Sequence, residues 1–227
     1  MGTISFQQVQ VEFDGKLVLA VEQLELTQNT IAVIGANGSG KSTFARLLNG
    51  LVKPSLGKVL VNGIDVGTDS RAAIKQAGFV FANPDVQIVM PTVIEDVEFS
   101  LRDSNLSKAE KRECAMAAIS GVGLLGLAEA PAQTLSSGQK QLLAIAAITV
   151  RKPRLVIADE PTALLDAGNT RAIAKLLLGP AAEQVILVTH DLALAQLCDV
   201  AVHFEAGRVA NIGDPKEVVA GYARQFS

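Results

Sequence analysis

The sequence predicts an α/β protein with a mostly parallel sheet, an N-terminal antiparallel β segment and a helical insertion. Three observations lead there. Short apolar, β-branched runs alternate with helical stretches near both ends of the chain, the texture of a parallel sheet covered by helices. A glycine-rich run, Gly35–Ser42 (GANGSGKS), joins one such strand to a helix. From about Val93 to Val150 strand texture vanishes and helical periodicity replaces it.

The elements follow in order. Ile4 to Phe13 and Val18 to Leu26 alternate apolar and polar residues, with Asp14-Gly15 between them as a hairpin signal. Thr30 to Ile34 (TIAVI) reads as a buried strand. A helix over Lys41 to Leu51 is stopped by Gly50 and Pro54. Lys58 to Val61 leads into the turn Asn62-Gly63, a second hairpin. Gly78 to Phe81 is a short strand broken by Asn83-Pro84-Asp85. Helices are expected over Val93 to Leu101, Lys108 to Gly121 and Gly138 to Val150. Strands return at Leu155 to Ala158, Val185 to Thr189 and Val200 to Phe204, with helices near Ala167 to Leu178 and Leu192 to Cys198.

Composition narrows the function. With 227 residues, 49% of them apolar, the chain can bury a sizeable core. The longest apolar run, Leu142 to Val150, is half of the ~18 residues a membrane span needs and lies between Lys140 and Arg151. No signal peptide is expected from the N-terminal segment. The net charge of −3 and scattered basic residues argue against nucleic acid as a partner. Cys114 and Cys198 lack metal-ligand spacing and are expected to be free, buried thiols.

The glycine-rich run has the phosphate-loop form G-x-x-x-x-G-K-[ST]. Gly35, Gly38 and Gly40 let backbone N–H groups turn inward around a polyphosphate, and the new helix points its positive end at the same anion. Lys41 reaches the β- and γ-phosphates, and Ser42 offers its hydroxyl to Mg²⁺. A second apolar strand, Leu155 to Ala158, ends in Asp159-Glu160. At a strand's carboxyl end, Asp159 suits Mg²⁺ and Glu160 suits a general base for an attacking water. His190 closes another apolar strand (VTHD), where it could meet a γ-phosphate or that water. Ser136 in Leu135–Gln139 (LSSGQ) reads as the N-cap of a further helix.

Taken in order, GANGSGKS, LSSGQ, LVIADEP, ALLD and VTHD resemble the ATP-binding-cassette (ABC) ATPases over nearly the whole chain. The resemblance implies a P-loop NTPase core and a single domain, 1–227. In it, 1–82 and 151–227 form the nucleotide-binding core with the β segment, and 83–150 form a helical subdomain. It further implies ATP and Mg²⁺ as ligands. Gly35, Ala36, Asn37, Gly38, Ser39, Gly40, Lys41, Ser42 and Thr43 would bind the phosphates, with Ser42 and Asp159 at the metal, Glu160 as base and His190 as γ-phosphate sensor. Ser136, Ser137, Gly138 and Gln139 would close on the ATP of a second ATPase subunit, a homodimer being expected, and Ala163 to Asp166 would link the two sites. Phe13 matches the aromatic that stacks on adenine, or is a core residue of an edge strand.

A narrower resemblance lies in Phe79 to Phe99 (FVFANPDVQIVMPTVIEDVEF), similar to ATPase subunits of energy-coupling-factor importers for vitamins and transition metals. It implies a transmembrane coupling subunit and a substrate-binding membrane subunit as partners, and a peripheral location on the cytoplasmic face of the membrane. Val86, Ile88, Val89 and Met90 would form the apolar docking patch. Biotin, cobalt and nickel all remain open as cargo, and a soluble ABC ATPase of DNA repair or translation is the alternative. The sequence departs from the family at Ala82, where a glutamine that ligates Mg²⁺ is expected. Either hydrolysis is weakened, or Gln87 serves indirectly, or the chain carries a substitution at this position. Ser137 replaces a glycine, and Leu142 an arginine.

Overall fold

In the computed structural model, which describes residues 2–163, 165–179 and 182–226, Asp14-Gly15 and Asn62-Gly63 all have positive φ, as tight type I′ hairpin turns require. The turns connect β1 (Ile4–Phe13) to β2 (Lys16–Leu26), and later β4 (Leu56–Val61) to β5 (Ile64–Asp65). Between the hairpins lie β3 (Thr30–Ile34) and α1 (Lys41–Leu48). After them come α2 (Ser70–Gln76), β6 (Ala77–Val80), α3 (Val93–Ser100), α4 (Lys108–Gly121) and α5 (Ser137–Thr149). The chain then runs through β7 (Leu155–Asp159), α6 (Ala167–Leu177), β8 (Gln184–Val188), α7 (Leu192–Ala195), β9 (Val200–Glu205), β10 (Arg208–Gly213) and α8 (Pro215–Ala223).

Two compact units form. The first takes the described residues of Met1–Phe79, Arg154–Glu160 and Ala182–Ser227. It holds an antiparallel sheet ordered β2-β1-β4-β5 and a second sheet ordered β10-β9-β3-β8-β7-β6. In the second sheet β9, β3, β8 and β7 are mutually parallel, and β10 is an antiparallel edge. The parallel strands are buried along nearly their whole length, which explains their continuous rather than alternating apolar sequence. A line of aromatic rings joins the layers. Phe44 of α1 stacks on Phe6 of β1 with centroids 5.0 Å apart. On its other side it meets Phe204 of β9 at 5.0 Å in a tilted pair. All three rings are fully buried.

The second unit takes the described residues of Val80–Pro153 and Pro161–Ala181. Its core is small: Val93, Ile94 and Val97 of α3 meet Ala115 and Ile119 of α4 and Leu143 and Ala146 of α5. Each of these helices starts with a capping box, Thr92 with Glu95, Ser107 with Glu110 and Ser136 with Gln139. Each box satisfies two otherwise orphaned N–H groups reciprocally. The unit includes α6 and so takes in more than the segment 83–150 marked by sequence texture.

Some local expectations change. Cys198 is buried, and burial lifts its thiol to about 12, but Cys114 is exposed. The reason is that α4 buries only a narrow face through Ala115 and Ile119, and Cys114 falls beside it. Helix α7 spans one turn, ending at Ala195 rather than Cys198. Helix α1 ends at Leu48, before Gly50 takes positive φ. Phe13 is 48% exposed at the end of β1, an interior strand of its sheet, so it is neither a core residue nor on an edge strand.

Phe44→Ala, which removes the ring shared by both layers, is expected to cost about 3–5 kcal/mol of folding stability, read from the midpoint of a urea titration.

Candidate active site

Strand register builds the site. Val188 of β8 lies opposite both Val33 of β3 and Asp159 of β7. The carboxyl ends of three separate strands are therefore in step. Two further backbone bonds carry the register past the strands: Thr189 N–H donates to the Val33 carbonyl (3.1 Å) and Glu160 N–H to the Val188 carbonyl (2.9 Å). Gly35, Glu160 and His190 thus emerge at one end of the sheet, the place where open α/β sheets bind ligands.

The loop after β3 is shaped by glycine. A Cβ on Gly35 would lie 2.2 Å from the Phe204 carbonyl oxygen, and φ is 146° there. Gly40 has φ 102° and caps α1 without any side-chain hydrogen bond. The first N–H groups of α1 are consequently free to face an anion. Lys41, 6% exposed, donates from Nζ to the carbonyls of Gly35 and Ala36, both at 2.8 Å. Burial draws its pKa down, while Glu160 and Asp159 pull it back up. Its ammonium is thus anchored to the loop that it serves.

Three groups face Lys41 from the strand ends. Asp159 Oδ1 accepts from Ser42 Oγ at 3.3 Å. Glu160 sits in left-handed backbone, φ 53°, a strained conformation for a side chain of this size. Its Oε2 accepts the backbone N–H of His190 at 3.2 Å. Its Oε1 is 3.2 Å from His190 Nε2 yet forms no well-directed hydrogen bond with any group. Burial raises the Glu160 pKa, and His190 and Lys41 counteract that rise. A carboxylate with one oriented and one unsatisfied oxygen, held above the usual range, suits proton abstraction from water.

A cavity of about 220 Å³ is lined by Gly38, Lys41, Ser42, Thr43, Glu160 and His190. That is below the roughly 300–1,000 Å³ of a pocket enclosing a whole small molecule, and is the scale of a phosphate tail. Phe13 does not line it, whereas Val18 does. A larger cavity, about 650 Å³, lies against Ala36, Asn37, Gly38 and Ser39 together with His203 and Tyr222. It lacks Lys41, Ser42, Glu160 and His190, all of which line the smaller one. Ser42 and Asp159 present two hard oxygens of the kind Mg²⁺ takes, leaving its other positions to phosphate and water. The donor set and the orphaned Glu160 oxygen both fit a Mg²⁺-bound polyphosphate.

The remaining predicted residues lie in the helical unit. Ser136 Oγ accepts the Gln139 N–H at 3.3 Å, and Gln139 Oε1 accepts the Ser136 N–H at 2.9 Å. The hydroxyl proton of Ser136 and the amide protons of Gln139 are left for a ligand. Ala82 is exposed. Gln87 Oε1 accepts the Phe81 N–H at 3.0 Å and so shapes its own loop. In the stretch from Ala163 to Asp166, Leu164 lies outside the described residues. Asp166 caps α6 through Gly168 N–H and Asn169 N–H.

Sequence reasoning missed two residues here. Gln141, 1% exposed, donates from Nε2 to the Phe81 carbonyl at 3.0 Å. Asp96, 4% exposed, accepts the N–H groups of Val89 and Met90 at 2.8 and 3.0 Å. A signal existed for both, since each is a polar residue at an apolar helical position. Among the apolar loop residues, Val86 and Val89 are 66% and 63% exposed, while Ile88 packs against the helical core.

Residues 23–163 match the protein-family model described as "ABC transporter". The chain belongs to this family. A putative ABC transporter ATP-binding protein of Bartonella quintana (strain Toulouse) is 41% identical over 227 residues, all of both chains. The biotin transport ATP-binding protein BioM of Rhizobium etli is 38% identical over 219 residues, 96% of this chain and 97% of that one. The solved structure of cbiO1 from Clostridium perfringens, described as part of the ABC transporter complex cbiONQ, superposes with a TM-score of 0.87. It is 31% identical, and the superposition covers 98% of this chain and 93% of that one. As an ABC ATPase the chain binds ATP, and its hydrolysis is coupled to transport.

The raised pKa of Glu160 has a measurable sign. Its contribution to folding stability is present below the ordinary value of 4.5 and is lost as pH rises through the higher folded value. Glu160→Gln removes that loss. The nucleotide-free mutant is expected to melt progressively higher than the parent as pH increases through this window, in thermal scans recorded at matched ionic strength.

Proposed function

We propose that this chain is the ATP-hydrolysing subunit of an energy-coupling-factor-type importer, with two copies enclosing two ATP to drive uptake of a vitamin or transition-metal ion. The observation that carries the reading is the convergence of Lys41, Ser42, Glu160 and His190 on one cavity, with Asp159 hydrogen-bonded to Ser42 behind it. The importer class is supported by the run Asn83 to Val97 and by relatives named for biotin transport and for the cbiONQ complex. Biotin, cobalt and nickel fit equally, because the ATPase does not touch the cargo.

In this reading the N–H groups of Gly35 to Thr43 cradle the phosphates, and Lys41 exchanges its carbonyl partners for β- and γ-phosphate oxygens. Ser42 and Asp159 hold Mg²⁺, which neutralises charge on the phosphates. Glu160 takes a proton from the attacking water, and His190 contacts the γ-phosphate and keeps Glu160 oriented. Phe13 offers an exposed ring for the adenine. Ser136, Ser137, Gly138 and Gln139 supply a second set of donors at the start of α5, for the ATP held by the partner copy. The exposed Val86 and Val89 meet a transmembrane coupling subunit, which works with a substrate-binding membrane subunit. No helix among the described residues is long and apolar enough to cross a membrane, in keeping with a peripheral place at the cytoplasmic face.

Lys41→Ala is expected to abolish ATP turnover and weaken ATP binding, since a charge-assisted contact of this kind is worth about 1.5–3 kcal/mol. Glu160→Gln is expected to retain binding, stop turnover and accumulate as an ATP-dependent dimer in size-exclusion chromatography. A mutant that stays monomeric at high protein concentration with ATP and Mg²⁺ contradicts the two-site arrangement.

The docking surface has its own test. Replacing Val86 and Val89 with Asp is expected to leave melting temperature and ATP affinity unchanged, because both side chains are exposed, and to abolish co-purification with membrane subunits from detergent extracts. Retained assembly would place the docking surface elsewhere.

A further inference from the structure

We infer that Asn169 is a positioning residue for the start of α5: its carboxamide, held by Asp166, is the wall against which Gly138 sets Ser136–Gln139. This rests on the proposal that Ser136–Gln139 bind ATP.

Gly138 occupies the second position of α5, after the N-cap Ser136 and Ser137. Glycine is a poor residue there, costing up to about 1 kcal/mol against alanine, and its φ is not positive. Backbone conformation therefore does not call for it. Proximity does. A Cβ at 138 would lie 2.5 Å from Asn169 Cγ, 2.6 Å from Nδ2 and 2.7 Å from Oδ1. All three distances are shorter than a real Cβ contact, so the backbone of α5 rests directly on the face of the carboxamide.

That face does not swing freely. Asn169 Nδ2 donates to Asp166 Oδ2 at 2.8 Å. The other oxygen of Asp166 accepts the N–H groups of Gly168 and Asn169 at 2.8 and 2.9 Å. Asp166 thus spends both oxygens, one on capping α6 and one on aiming Asn169. Any shift of Asp166 moves the carboxamide, and the absence of a side chain at 138 leaves no slack between it and the helix that carries the Ser136 hydroxyl and the Gln139 amide. Asp166 and the turn Ser136–Gln139 are in this way mechanically joined within one chain, through a residue outside both motifs.

Complementary substitutions test the contact. Gly138→Ala should lower kcat for ATP by roughly tenfold or more, the scale on which a misplacement of about 1 Å is felt. Asn169→Gly, which empties the opposing space, should restore most of kcat in the Gly138→Ala background while lowering it when introduced alone. Asn169→Asp, which sets a second carboxylate against Asp166, should lower kcat. A double mutant no more active than Gly138→Ala, or Asn169→Gly indistinguishable from the parent, would overturn the inference. If the parent itself shows no ATP turnover, the reading of the site fails first, and that outcome is separable because it needs no substitution.

Discussion

One pairing register holds the site together. Val188 faces Val33 on one side and Asp159 on the other, so the ends of β3, β7 and β8 cannot slip relative to one another without breaking a ladder of buried backbone hydrogen bonds. In a parallel sheet buried on both faces, a slipped strand would also leave N–H and C=O groups without water or partners. The phosphate loop, the acidic pair and His190 are far apart in sequence. They become neighbours only because three apolar strands are locked in step.

On that frame the site balances opposing charges in a desolvated space. Lys41 is nearly buried yet stays matched by two carbonyls and two nearby carboxylates. Glu160 is the less comfortable partner. It occupies strained backbone, with one oxygen tied to the His190 amide and the other left without a well-directed bond. Strain and an unsatisfied acceptor are features a purely structural residue would shed. They persist here because the strand ends over-determine the position. Burial raises the carboxylate's pKa, in the direction that suits the proton abstraction proposed for it.

The helical unit works by different means. Its core is small, and its helices depend on their ends: three capping boxes, and the buried Asp96 and Gln141 that fasten the loop from Phe81 to Met90 through its backbone. Fastening a loop by its main chain leaves side chains free to point outward, which is why Val86 and Val89 can remain exposed without loosening the segment. A contact of no slack, Asn169 on Gly138, then sets the pitch of α5 from α6.

Much of this was readable from the sequence, for local reasons. The two hairpins were legible because Asp-Gly and Asn-Gly are the residues that tolerate their turns. The parallel strands were legible because burial on both faces makes them continuously apolar, and the phosphate loop because its glycines are demanded by backbone geometry. Elements without such marks went unread. Helix α2 buries only Ala73, and β10 is a polar edge strand. Helix α8 was announced by Asp214-Pro215, a cap followed by proline, yet it has no long apolar period. The sequence by itself determined which residue types could hold phosphate and metal and activate water. The tertiary structure alone decided that Lys41, Ser42, Glu160 and His190 share a cavity, that Phe13 and Val89 are exposed and that the Gln87 oxygen accepts the Phe81 N–H. These depend on strand register and on close approach between distant segments, which no local pattern encodes.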